Sequence, residues 1–154
     1  MSTTGPAPTL TLTVNRIFNA SRERVYAAWT EPDQSQRWWG PPGTVIPSVE
    51  MDVRVGGSYR VAMVSPGMDV MYVKGTYREV VPLELLVYTW EWEGNPMEGR
   101  ETLVTVEFRD LGKQTEVAIT HEGFPDEYEV QLHTDGWNGC FEGLDALLDD
   151  RPHP

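Results

Sequence analysis

A single cysteine in 154 residues, Cys140, leaves this chain no means of forming an internal disulfide, which agrees with a reducing compartment. Long apolar runs are missing as well. No uninterrupted apolar stretch reaches the roughly 18 residues a membrane helix needs, and MSTTGPAPT at the start holds no basic segment followed by an apolar one. Membrane insertion is therefore not expected, and the cytoplasm is the expected location. Basic side chains are scarce. Twelve Lys and Arg stand against twenty-four Asp and Glu, a formal charge of −12 that repels phosphate backbones and anionic headgroups alike. Nucleic acid is not an expected partner. Internal repeats, a Ser-His-acid order, a Walker loop and a dinucleotide fingerprint are also absent. Gly56-Gly57 has no helix after it and reads as a turn, so no cofactor is implied.

What is present is aromatic: six Trp, six Tyr and four Phe in a composition that is 40% hydrophobic. A chain of this length buries roughly two thirds of the surface it exposes when unfolded, enough for one core. We read a single domain over 10–150, with small, polar, Pro/Gly-punctuated ends at 1–9 and 151–154 expected to be flexible tails.

Leu10, Leu12 and Val14 alternate with threonines, which predicts a first strand. Ser21 stands as an N-cap before Val25 and Trp29, predicting a helix over about 22–31 that Pro32 ends. Asp33 is placed to cap a second short helix reaching Trp39, which Gly40-Pro41-Pro42-Gly43 stops. Six strands separated by turn signals follow, over 44–55, 58–65, 70–80, 85–93, 101–109 and 114–122. Their period-two faces put Tyr59, Val61 and Met63, then Met71, Val73 and Tyr77, then Tyr88, Trp90 and Trp92, then Val117, Ile119 and His121 on one side. Arg60, Lys74, Arg78, Glu107 and Arg109 fall on the other. A last helix beginning near Asp126 covers the apolar side with Trp137, Cys140, Phe141, Leu144, Leu147 and Leu148, leaving Glu142, Asp145 and Asp149 outside. The order predicts an α+β fold of two layers, one curved antiparallel sheet around one helix.

"RIFNASRERVYAAWTEPDQSQRWWGP" (16–41), "MDVRVGGSYR" (51–60), "KGTYREVVPLELLVYTWEW" (74–92), "TEVAITHEGFP" (115–125) and "GWNGCFEGLDALL" (136–148) resemble the stand-alone bacterial proteins related to the activator of the ninety-kilodalton heat-shock protein ATPase. That family sits in the START-like, or SRPBCC, superfamily. The resemblance runs from about residue 12 to 149. It implies a helix-grip, with a seven-stranded antiparallel sheet wrapped around a long C-terminal helix and an apolar cavity between them. It implies little chemistry, since relatives include lipid carriers, cyclases and co-chaperone domains.

The inward positions Met51, Tyr59, Met63, Met71, Tyr77, Trp90 and Trp92, with Trp137 and Phe141 on the helix, suit either an adaptable apolar pocket or an aromatic core. Trp38 and Trp39, neighbours on a short helix, diverge by about 100° around its axis, so either one packs inward while the other lines and gates a mouth, or both simply cap the end of the sheet. His121, just before Gly123-Phe124-Pro125, is either a satisfied core group or, with Tyr77, a proton shuttle; Phe124 completes the expected binding set. His133 with Asp126 or Glu129 forms no recognised zinc motif, so no metal is expected. Asp52 and Arg54 are expected to form a ladder with Arg60 or Lys74. Arg16 is either an end-of-strand exit or a cation paired with a carboxylate such as Glu50. The leading reading is a binder of an apolar or aromatic small molecule or lipid, compatible with a homodimer. The alternatives are a cyclase- or hydrolase-like enzyme using the same pocket and a co-chaperone-like module that activates an ATPase.

Overall fold

The computed structural model describes residues 9–40, 43–94 and 99–148. The expected tails at 1–8 and 151–154, Pro41-Pro42 of the helix-stopping run, and Asp149 lie outside them. In chain order the elements are β1 (Leu10–Phe18), α1 (Arg22–Thr30), α2 (Pro32–Trp38), β2 (Val45–Met51), β3 (Ser58–Val64), β4 (Met71–Val81), β5 (Leu85–Glu93), β6 (Thr102–Asp110), β7 (Thr115–Phe124) and α3 (Glu127–Leu148). The sheet runs β1-β7-β6-β5-β4-β3-β2 with every neighbour antiparallel. Strands β2 to β7 form the expected meander, and β1 closes the other edge, with Leu12 opposite His121 and Val14 opposite Ile119. This is the expected α+β helix-grip. No helix among the described residues is long and apolar enough to cross a membrane.

Local chemistry accounts for the helix ends. The Ser21 hydroxyl accepts from the Arg24 N–H at 3.3 Å, capping α1 as its position suggested. Pro32, however, opens α2 rather than only closing α1, because a first helical residue has no N–H bond to lose. Glu31, extended as a residue before proline tends to be, takes the N-cap place expected of Asp33. The Asp126 carboxylate accepts from the Glu129 N–H at 2.9 Å and starts α3, which runs 22 residues, about 33 Å. Its buried stripe takes in the expected Trp137, Cys140, Phe141, Leu144 and Leu148 and extends one turn earlier to His133, while Leu147, expected on it, is only half-buried.

Two charge expectations are corrected by the topology. Arg16 does not meet Glu50, since β1 and β2 are opposite edges of the sheet. It reaches Asp145 on α3 at 2.9 Å and lies over the Phe141 ring, half-buried. Strand β2 ends at Met51, so Asp52 and Arg54 fall in the following turn and pair with each other at 2.7 Å. The outer-face ladder centres on Glu93 instead: Arg60 lies 3.3 Å from it while resting on the Tyr72 ring, and Lys74 lies 3.8 Å from it.

The β4–β5 ladder is interrupted between Lys74 and Tyr77, and its register shifts between Tyr77 and Glu79. Regular pairing holds at Lys74 opposite Glu91 and again at Tyr77 opposite Tyr88, and the segment between is rewired. The Tyr59 hydroxyl donates to the Thr89 carbonyl at 2.5 Å, and the Thr76 N–H donates to the Thr89 hydroxyl at 2.8 Å. Gly75 permits this approach: a Cβ there would stand 1.9 Å from the Thr89 carbonyl oxygen and 2.7 Å from the Tyr59 ring. Gly75→Ala is accordingly expected to cost about 3 kcal/mol or more, since backbone rather than a flexible side chain blocks the new methyl. Urea unfolding followed by tryptophan emission checks this, and a loss under 1 kcal/mol would contradict the rewired pairing.

Candidate functional site

Between β3–β5 and the first half of α3 lies a cavity of about 190 Å³. Six residues expected from the sequence meet there: Trp39, Met63, Met71, Trp90, Trp92 and Trp137. Strand alternation points Met63, Met71, Trp90 and Trp92 inward, and Trp137 answers them from the helix. The rest of the lining comes from Gly40, Ser65, Glu129, Leu132, His133, Gly136 and Cys140. Leu132 is exposed and marks the side open to solvent.

Other expected residues stand elsewhere. Tyr59 and Tyr77 border a separate void of about 10 Å³ beside Trp29, Leu86 and Tyr88. Burial holds the hydroxyl pKa of Tyr59, Tyr77 and Tyr88 far above the ordinary tyrosine value. Phe141 packs edge-on to Phe18 at 5.5 Å, and Phe124 lies against both His121 and His133. Met51, half-buried opposite Tyr59 on β2, does not border the cavity.

Of the two adjacent tryptophans, Trp38 packs inward as one of the pair was expected to, whereas Trp39 lies on the cavity wall inside the protein rather than at an exposed mouth. Both are buried, and their rings stack at 5.4 Å and 23°. The helical 100° does not apply because α2 ends at Trp38 and Trp39 has extended backbone (φ −66°, ψ 136°). Trp38 is sealed in the core, its N–H donated to the Ala28 carbonyl at 2.7 Å, while Trp39 forms a cavity wall parallel to Trp90. Gly40 then turns the chain at φ +85°, and its N–H meets the Cys140 sulfur at 3.2 Å. Burial pushes the Cys140 thiol up to about 12, which removes it as a nucleophile at neutral pH.

His121 and His133, the two histidines among the described residues, are fully engaged. Trp137 donates its indole N–H to His121 Nδ1 at 3.1 Å. His121 must therefore carry its proton on Nε2, 2.7 Å from the Thr102 hydroxyl, which in turn donates to the Trp90 carbonyl. His133 takes the opposite tautomer: its Nδ1–H faces the Glu129 carbonyl at 2.8 Å, and Nε2 accepts from the Trp92 indole at 2.9 Å. Glu129 and His133 were weighed only as metal ligands in the sequence, yet they border the cavity. The spacing that finds His133 is its place four residues before Trp137. Among the described residues no three His, Cys, Asp or Glu side chains gather as a metal ion would need.

Protonating either ring would set N–H against N–H inside the core. Burial, and for His121 also its neighbour His133, lowers both histidine pKa values, His121 the more. The unfolded chain then binds the protons that the folded one refuses, so stability is complete above the ordinary value of 6.5 and falls as pH drops below it. Two such groups give a slope of at most about 2.7 kcal/mol per pH unit. Urea unfolding between about pH 5.5 and 8 is expected to show this, with a smaller slope in His133→Gln. A flat profile would contradict the two neutral rings.

A human protein, "Activator of 90 kDa heat shock protein ATPase homolog 1", is 27% identical over 138 residues, covering 89% of this chain and 36% of its own length. The chain thus spans about a third of that relative. A Chromobacterium violaceum protein of known structure superposes with a TM-score of 0.81 at 29% identity, covering 92% of this chain and 99% of that one. An AHSA1 protein from Silicibacter pomeroyi gives 0.78 at 24% identity, covering 89% and 96%, a likeness of fold alone. Residues 19–149 match the model of one family, and the chain belongs to it: the Activator of Hsp90 ATPase homolog 1-like proteins.

Proposed function

We propose that this protein binds a small apolar or aromatic molecule in the cavity between β3–β5 and α3. One observation carries the reading: a core otherwise closely packed leaves about 190 Å³ open, walled by four tryptophans and two methionines. Size narrows the ligand. An engineered apolar cavity of about 150 Å³ in another protein holds benzene, and pockets for drug-sized ligands run from about 300 Å³ upward. The cavity therefore suits a molecule of roughly one ring with a short substituent, and a whole lipid exceeds it.

Binding is favoured over catalysis by the state of the polar groups. His121 has its one lone pair occupied by Trp137, and the Tyr77 hydroxyl belongs to a void too small for substrate. The Cys140 thiol stays protonated. Activation of a chaperone ATPase, the activity in the human relative's name, belongs to a protein of which this chain spans 36%.

Gly136 supplies the test. It lines the cavity, and a Cβ built on it meets nothing within 4 Å. Gly136→Leu is expected to fill the opening and weaken binding of small aromatics by about tenfold or more, while folding as well as the parent because a mid-helix glycine costs about 1 kcal/mol relative to alanine. Tryptophan-emission titrations with a panel of one-ring compounds measure it. Unchanged affinity in Gly136→Leu, or no saturable response to any compound, would overturn the reading.

A further inference from the structure

The charge at the cavity mouth narrows the ligand further, on the understanding that this cavity is the binding site. Glu129 is the one carboxylate among the lining residues: burial keeps His133 and Cys140 neutral, and no Lys or Arg lines the space. Its side chain is only 13% exposed. A carboxylate so covered ordinarily has a cation beside it, because desolvating an unpaired charge is costly. Among the described residues none is supplied. The nearest basic nitrogen, His133 Nδ1, is 3.8 Å away and spends its proton on the Glu129 backbone carbonyl. Asp126 adds a second negative charge at the same end of α3, where its carboxylate already caps the helix. Burial and Asp126 together raise the Glu129 pKa, as expected of a carboxylate lacking its counter-charge.

We propose that the ligand is a cation, a small aromatic or alkyl amine or a quaternary ammonium. Its charge lies beside the Glu129 carboxylate and its apolar part among Trp39, Trp90, Trp92 and Trp137. Indole is the strongest aromatic partner for a cation, and several indoles around one space are the usual means of holding an ammonium group. The formal charge of −12 attracts cations and repels anionic ligands before they reach the mouth. A neutral acceptor read by an indole N–H is the competing chemistry, and two indoles bordering the cavity, Trp39 and Trp90, make no hydrogen bond of their own among the described residues. The Trp90 nitrogen is sealed from solvent, so an occupant does not meet it, while the Trp39 N–H would favour a neutral acceptor such as an alcohol.

Three probes of matched size separate the possibilities: benzylammonium, benzyl alcohol and benzoate, titrated by calorimetry against the parent, Glu129→Gln and Leu132→Lys. Leu132 is exposed at the mouth, so a lysine there is tolerated and places a positive charge beside the proposed ammonium site. Benzylammonium is expected to bind the parent about tenfold or more tighter than benzyl alcohol, with benzoate weakest. Glu129→Gln should bring the first two to within about twofold, and Leu132→Lys should weaken benzylammonium and strengthen benzoate. Should Glu129→Gln fail to fold, the parent and Leu132→Lys decide. Equal or tighter binding of benzyl alcohol to the parent, or a cation preference that survives Glu129→Gln, overturns the proposal and leaves the apolar-binding reading standing. If no probe binds, both fall.

Discussion

Sheet and helix are locked by a reciprocal exchange of indole hydrogen bonds. Trp137 on α3 donates to His121 on β7, while Trp92 on β5 donates to His133, one helical turn before Trp137. Each layer thus gives one indole N–H and receives one imidazole lone pair. Hydrophobic burial alone would let a helix slide or rotate over a curved sheet, because it is non-directional. Two directional bonds set along one helix face fix both its position and its rotation. The 190 Å³ space exists because the helix is held at that distance from β3–β5 rather than settling into it.

The same fixing extends to the RWWG segment. Gly143 lets α2 approach α3 closely, since a Cβ there would stand 3.1 Å from the Trp38 carbonyl oxygen, and the Cys140 sulfur accepts the Gly40 N–H. With the segment fastened to α3 at two points one turn apart, Trp39 becomes a rigid wall between core and cavity. Van der Waals contact with Trp38 behind and Trp90 in front sets its angle.

Much of this was legible in the sequence wherever period and punctuation agree. Strands β3 to β7 follow from two-residue alternation between Gly/Pro turns, and α3 from apolar residues at helical spacing through Leu148. What escaped depends on contacts across long separations. Whether Trp39 continues the helix of Trp38 is decided by Gly40 and by a cysteine 100 residues away. The partner of Arg16 lies 129 residues along the chain, and only the strand order shows that Glu50 is on the far edge. His121 could be placed on the inner face, but its tautomer follows from Trp137 and Thr102. Glu129 entered the sequence reading only beside His133 as a metal ligand, because nothing local says that its neighbours withhold a counter-charge.

All six tryptophans of the chain are joined ring to ring: Trp29 to Trp38 and Trp137, Trp38 to Trp39, Trp39 to Trp90, and Trp90 to Trp92 and Trp137, with centroids between 4.5 and 6.0 Å. Electronically these are not six chromophores. At such separations excitation absorbed by one indole passes to its neighbours faster than it is emitted, and coupled transitions imprint the handedness of the array on near-ultraviolet circular dichroism. Four of the six border the cavity, so an occupant there sits directly against the coupled array.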